Sequence, residues 1–368
     1  MPGKIRRFFA GGNTGYGFYS FYDQIVERGA TAYFILKGGP GVGKSSFMRA
    51  ISQQLRERGY AVEEFYCSSD ETSLDAVRFP ALGVALVDGT SPHIVDPRYP
   101  GVVDTIVHLG DFWREDELRQ QKAQVMQLID RNSLFFRRAY GYLDVARRYN
   151  NEQEAYLREL QALDIPGLNR LARELIDELL PAEHTPQDRA AAQRHLFASA
   201  ITPGGLVNHL SNIFAGVGVR IVLQGPPGSG RTTLVQKLLK AALERGLDIE
   251  AFHCALDPQR IEHLLIPELS LGVITSCQAH TYDALPDDRV IETGQFVDQS
   301  RLAGFEADIE HVGQLREAAL LRAVDMIQRA RQNHDRIEAC YVPHMDFGAV
   351  ARRRRQVLER ILELQGVN

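Results

Sequence analysis

The sequence predicts an α/β fold built as two tandem domains, each with a mainly parallel sheet and each followed by helical additions. Three observations predict it. First, an apolar run of strand type at 32–36 leads into the Gly-rich stretch Gly38-Gly39-Pro40-Gly41-Val42-Gly43-Lys44-Ser45, and a helical segment, 46–58, follows. Second, further strand-like runs are separated by helical ones, which implies parallel pairing through right-handed crossovers. Third, the pattern returns 187 positions later. Gly225-Pro226-Pro227-Gly228-Ser229-Gly230-Arg231-Thr232 falls over the first loop without a gap, and Glu63, Phe65, Cys67 and Asp70 recur as Glu250, Phe252, Cys254 and Asp257. So long a period marks duplicated domains rather than a solenoid. They divide the 368 residues at 1–185 and 186–368.

Taken in order, residues 8–20 are rich in Gly and aromatics. They read as an entry loop, or as a lid that sets an aromatic ring beside a ligand. A short helix is expected at 20–28. A second strand at 61–67 ends in the polar turn Ser68-Ser69-Asp70-Glu71, and 72–79 reads as a short helix. A third strand, 82–87, ends at Asp88, and a fourth spans 102–109. Residues 116–163 suit one or two amphipathic helices, with Met126, Ile129, Phe136, Leu143 and Val145 at apolar positions. Pro166-Gly167 interrupts that run, 168–180 resumes it, and 181–186 is the expected linker. In the second half 300–336 and 347–364 match, and 138–156 and 322–341 read as related copies. No strict heptad supports a coiled coil, so these helices are expected to pack on the chain's own cores, with a protein partner on them as the alternative.

Composition narrows the classes. A hydrophobic content of 44% is enough for real cores, and a net charge of −5 provides no global basic field for nucleic acid. The run Arg352-Arg353-Arg354-Arg355 would spread around all faces of a helix rather than form a stripe. The four cysteines are scattered, without a C-x-x-C pair, which suits a reducing cytoplasm and argues against zinc. No apolar run approaches a membrane span, and the N-terminus lacks a signal peptide, so a cytoplasmic location is expected.

The first loop fits G-x-x-x-x-G-K-[ST], a pattern whose glycines turn backbone N–H groups inward around phosphate oxygens at a helix N-terminus. Gly38, Gly39, Pro40, Gly41, Val42, Gly43, Lys44, Ser45 and Ser46 are the expected nucleotide-binding set. Lys44 would reach the β- and γ-phosphates, and the Ser45 hydroxyl would bind Mg²⁺. Asp88, at the carboxyl end of an apolar strand, is the expected acidic partner of the metal. The hydrolytic base is open: no Glu follows Asp88, and Asp70, Glu71 and His93 are candidates. His93 recurs as His280, and a hydrogen-bonded loop histidine is the plainer reading. Cys67 and Cys254 read as small buried residues. In the second loop Gly225, Gly228, Gly230, Arg231 and Thr232 keep the cradle. Arg231 replaces the lysine, however, and Thr275 stands where Asp88 stood, so a weakened or non-hydrolytic site is expected.

Through both loops and their flanking elements the chain resembles the P-loop nucleoside triphosphatases. In its tandem organisation and its Ala10-Gly11-Gly12-Asn13-Thr14 segment it resembles a bacterial ATPase family with two P-loop domains. The resemblance implies ATP and Mg²⁺ bound at Lys44 and Ser45. The absence of an N-K-x-D guanine-reading motif favours ATP over GTP. The expected activity is ATP hydrolysis at the first loop. The alternatives are a kinase for a small molecule or nucleotide with Asp70 as base, and a nucleotide-dependent interaction module with little turnover.

Overall fold

In the computed structural model, which describes residues 1–27, 29–92, 94–181, 189–277 and 280–364, the two halves have nearly the same order of elements. The first half runs β1 (Ile5–Phe8), β2 (Gly11–Thr14), β3 (Gly17–Ser20), β4 (Ala32–Lys37), α1 (Lys44–Glu57), β5 (Val62–Cys67), β6 (Asp70–Phe79), β7 (Val84–Asp88), β8 (Asp104–His108), α2 (Glu115–Gln120), α3 (Lys122–Glu159) and α4 (Ile165–Leu179). The second runs β9 (Gln193–Phe197), β10 (Ser199–Thr202), β11 (Gly205–Asn208), the single-turn α5 (Leu210–Ile213), β12 (Val219–Gln224), α6 (Arg231–Glu244), β13 (Ile249–His253), β14 (Ile261–Ile266), β15 (Leu271–Thr275), β16 (Arg289–Glu292), α7 (Glu306–Tyr341) and α8 (Phe347–Glu363).

Each half holds a six-stranded sheet, in the orders β1-β5-β6-β7-β4-β8 and β9-β13-β14-β15-β12-β16. The strand that feeds each glycine-rich loop, β4 or β12, lies between two parallel neighbours. Buried on both faces, it reads as a continuous apolar run: Phe34 and Leu36 enter one core and Ile35 another. The sheets are mostly parallel, as expected, but each is mixed, because β6 and β14 run antiparallel to both neighbours.

This corrects the helix expected at 72–79. The two-residue turn at Ser68-Ser69 permits a hairpin, and Ala76, Val77 and Phe79 are buried between β5 and β7. Residues 8–20 are likewise not a loop: 11–20 form the β2–β3 hairpin, turned at Gly17 and braced by Thr14 Oγ1 donating to the Gly17 carbonyl. Its hydrogen bonds reach Ser68, Ile201 and Leu256, which seats it between the halves. The helix expected at 20–28 shrinks to a 3-10 turn at Tyr22–Gln24. The expected linker lies, beyond Pro181, outside the described residues. Among the described residues no helix is long and apolar enough to cross a membrane.

The halves face each other over one shared core that includes Phe8, Phe65, Phe197, Phe214 and Phe252. Phe9 and Phe197 exchange backbone hydrogen bonds of 3.0 Å in both directions at its centre. Beside them Arg194 pairs with Glu63 at 2.7 Å and with Glu250 at 3.4 Å, and Arg6 pairs with Glu250 at 2.5 Å and with Glu63 at 3.5 Å. Glu63 is buried, which opposes its charge, yet the arginines hold its carboxyl down at about 2.

The long helices cross over. α3 and α7 lie antiparallel, with Asn333 donating to the Leu128 carbonyl near one end and Gln153 to the Ile309 carbonyl near the other. Each then delivers the next helix to the opposite half. Val350, Val357, Leu358 and Ile361 of α8 enter the first-half core with Phe34, Phe47 and Leu55. Leu168, Ala172 and Leu175 of α4 enter the second-half core with Leu223, Leu234 and Leu238. Both delivered helices start on an aspartate cap, Asp164 to the Gly167 N–H and Asp346 to the Ala349 N–H, each 2.9 Å.

Candidate functional site

The first loop leaves β4 and enters α1 with Gly38, Gly41 and Gly43 at φ 149°, 71° and 88°. In these left-handed or extended-positive conformations a side chain would be strained, which explains the glycines. Lys44 opens the helix. Its ammonium donates to the carbonyls of Gly38 and Gly39, each at 2.9 Å, and stands 3.6 Å from Asp88 Oδ2. Asp88 closes β7 in register with Leu36, two residues before the loop. Thr90 holds the other carboxylate oxygen through its N–H at 2.9 Å and its hydroxyl at 2.5 Å, so Oδ2 is the oxygen presented to the loop. Ser45 Oγ accepts the Leu74 N–H at 2.9 Å, which keeps a second lone pair free for a metal. Val42 is buried in the core and Ser46 is exposed.

Asp70 is drawn elsewhere. It closes the turn before β6 by accepting from Thr72, and its Oδ2 lies 3.2 Å from Arg331 of α7. Glu71 sits against the second hairpin, where a Cβ on Gly204 would lie 2.9 Å from its Oε1. His93 lies outside the described residues.

Residues from the other half cover the first loop. A Cβ at Gly39 would lie 3.2 Å from the Tyr341 ring, and one at Gly41 would lie 3.0 Å from Val342 Cγ2 and 3.4 Å from Glu338 Cα. The Glu338 carboxyl titrates below its usual range. His334, 3.5 Å away, lowers it most, and the Arg331 charge and the Gly41 N–H add to this. An acidic group of α7 thus stands against the Gly41 N–H of the first loop.

The second loop repeats the backbone. Gly225, Gly228 and Gly230 have φ 148°, 80° and 97°, close to their first-half counterparts. Its covering residues are also equivalent: a Cβ at Gly228 would lie 3.3 Å from Glu154 Cα and 3.3 Å from Leu157 of α3. Glu154, however, is bound by Arg260 and by Asn150, at 3.0 Å for the latter. Over this loop opens a cavity of about 1140 Å³, walled by Gly225, Gly228, Arg231, Thr232, Cys277 and Arg316 among others. The recess beside the first loop, lined by Trp113, Met126 and Tyr341, holds about 300 Å³.

A polar cluster lies at the wall of that cavity. His280 Nε2 is 2.9 Å from Glu262 Oε2, and the Cys277 sulfur is 3.8 Å and 3.6 Å from the two ring nitrogens. Burial would lower the His280 pKa, but the Glu262 charge and Cys277 raise it to about 10. Burial would raise that of Cys277, but His280 lowers it to about 7. Glu262, His263 and His280 bring ligand-type atoms within 4.8 Å of one another. A metal is disfavoured there. The Thr275 N–H donates to His263 Nδ1 at 3.0 Å, so the neutral ring carries its hydrogen on Nε2 and offers no lone pair. Cys67 and Cys254, at equivalent strand ends, have thiol pKa values raised by burial.

Sequence reading missed Glu338, Glu154 and Arg260, because each acts across the halves. The related copies 138–156 and 322–341 held the signal: Glu154 and Glu338 occupy matching places in them. Comparisons with family models, with curated proteins and with solved structures found no match to this chain.

Proposed function

We propose that the chain is a Mg²⁺-dependent ATPase that hydrolyses nucleotide at its first phosphate loop. The observation that carries the reading is the joint placement of Lys44 and Asp88 at the mouth of a loop whose three glycines hold positive φ. Loop N–H groups and the start of α1 would bind the phosphate oxygens. Lys44 would exchange the Gly38 and Gly39 carbonyls for the β- and γ-phosphates. Ser45 and Asp88 Oδ2 would hold Mg²⁺, which when bound neutralises charge developing on the phosphates. Fixed donors in a partly buried site stabilise such charge without reorganising.

One observation favours a coupling role as well. Glu338, Tyr341 and Val342 lie against the loop, so nucleotide entry there would push on α7, which leads through a 3-10 turn at Val342–His344 into α8 on the first-half core. The test is phosphate release from ATP by the purified chain, with and without Mg²⁺. Turnover only on addition of a phosphate acceptor would replace the reading with a kinase, and tight binding without release would replace it with an interaction module.

A further inference from the structure

We infer that the cavity over the second phosphate loop binds a polyphosphate ligand, of the nucleoside diphosphate or pyrophosphate type, without a metal ion. This rests on reading the loops as phosphate cradles but not on turnover at Lys44.

Four independent features lead there. The cavity, about 1140 Å³, is large enough for a nucleotide. The loop at its floor keeps the positive φ values that point N–H groups inward, at the start of the 14-residue α6. The acidic residue that stands against the first loop has its counterpart drawn off here, since Glu154 is bound by Arg260 and Asn150. Finally, Arg231 is one of the residues that line the cavity, and its guanidinium Nη1, buried behind that surface, has no hydrogen-bond partner.

The last feature argues for a ligand rather than a relic. A buried donor without a partner costs about 1–3 kcal/mol, and the lysine at the equivalent position satisfies itself on loop carbonyls. A guanidinium presents a fork that binds phosphate by two parallel hydrogen bonds.

The same substitutions remove the metal. Thr275 stands where Asp88 binds Lys44, and its buried Oγ1 also lacks a partner. Thr275 thus leaves the Asp88 position without a carboxylate, and of the acids on the cavity wall Glu262 pairs with His280 and Glu154 with Arg260. With Arg231 at the loop and Thr275 in place of Asp88, ligand charge is met by Arg231, the loop N–H groups and the further arginines of the wall, Arg316 among them, rather than by a metal.

The test is calorimetric titration of the Lys44→Ala chain with ADP and with pyrophosphate in EDTA buffer. One ligand per chain is expected to bind. Adding Arg231→Ala is expected to weaken binding at least tenfold, and Arg231→Lys less so. An unfolding midpoint matching the parent shows that the variant is folded, and Arg231→Gln replaces it otherwise. As a locator, saturating ADP is expected to slow N-ethylmaleimide modification of Cys277, on the cavity wall, severalfold. No binding in EDTA, binding only with Mg²⁺, equal affinity in Arg231→Ala, or an unchanged Cys277 rate would each overturn the inference. Wild-type Mg²⁺-dependent phosphate release, measured separately, shows whether the first-loop reading stands or fails by itself.

Discussion

Lys44 Nζ stands 3.6 Å from Asp88 Oδ2 while donating to two carbonyls of its own loop. The carboxylate oxygen beside it is the one that Thr90 leaves uncommitted, which suits the proposed role of Asp88 as a metal ligand. Asp88→Asn is expected to raise the Mg²⁺ concentration for half-maximal phosphate release at least tenfold. Affinity for ATP in EDTA should stay equal or improve, because a negative charge is removed. Mg²⁺ titrations of both proteins check this, and an unchanged Mg²⁺ requirement would move the metal ligand elsewhere.

Glu338 faces the donors that phosphate would use. Replacing it by glutamine removes a like charge at a partly exposed position. Coulombic effects there amount to roughly 1 kcal/mol. Glu338→Gln is therefore expected to lower the KM for ATP about threefold to tenfold. Steady-state kinetics read the split; a higher KM would mean that Glu338 supports the nucleotide.

The halves are locked by the Arg6–Glu63–Arg194–Glu250 network. Removing one partner from a buried ion cluster leaves uncompensated charge and typically costs about 3–5 kcal/mol. Glu63→Gln should lower the unfolding free energy of the whole chain by about that much in urea titrations. A cost below about 1 kcal/mol would show that the network is solvated.

The Glu262–His280 pair sets a pH dependence. The folded-state pKa of His280 is raised to about 10, above its ordinary value of 6.5, so its contribution to stability is complete below pH 6.5 and lost as pH rises towards 10. That of Glu262 is lowered to about 2 from 4.5, so its contribution is complete above pH 4.5 and lost as pH falls towards 2. Both are intact between pH 4.5 and 6.5. The stability gap between wild type and His280→Gln, on the order of a few kcal/mol, should be constant across that window and shrink above pH 6.5, a loss offset between about pH 7 and 9 by the Cys277 thiolate that His280 favours and resumed towards pH 10. Urea midpoints across that range measure it; a gap that widens with pH would refute the ion pair.

Much of this was legible from residue order. The uninterrupted apolar stretch Tyr33-Phe34-Ile35-Leu36, the Gly-rich loop and the helix after it predicted β4, the cradle and α1. The 187-residue offset predicted two like sheets. What escaped were features made by tertiary pairing. β6 carries residues of ambiguous local preference, and only its place between β5 and β7 decides for strand. The β2–β3 hairpin is Gly-rich because it threads between halves, not because it is a loop. The crossing of α4 and α8 to opposite cores leaves no local signature at all: Leu175 and Ile361 sit on ordinary amphipathic faces whose partners lie in the other half.

The most direct measurement is Mg²⁺-dependent release of phosphate from ATP by the wild-type chain, Lys44→Ala and Arg231→Ala. The account predicts release by the wild type, a loss of at least a hundredfold in Lys44→Ala, and a rate within about threefold of wild type in Arg231→Ala. Turnover that survives in Lys44→Ala but disappears in Arg231→Ala would place the chemistry at the second loop and contradict it.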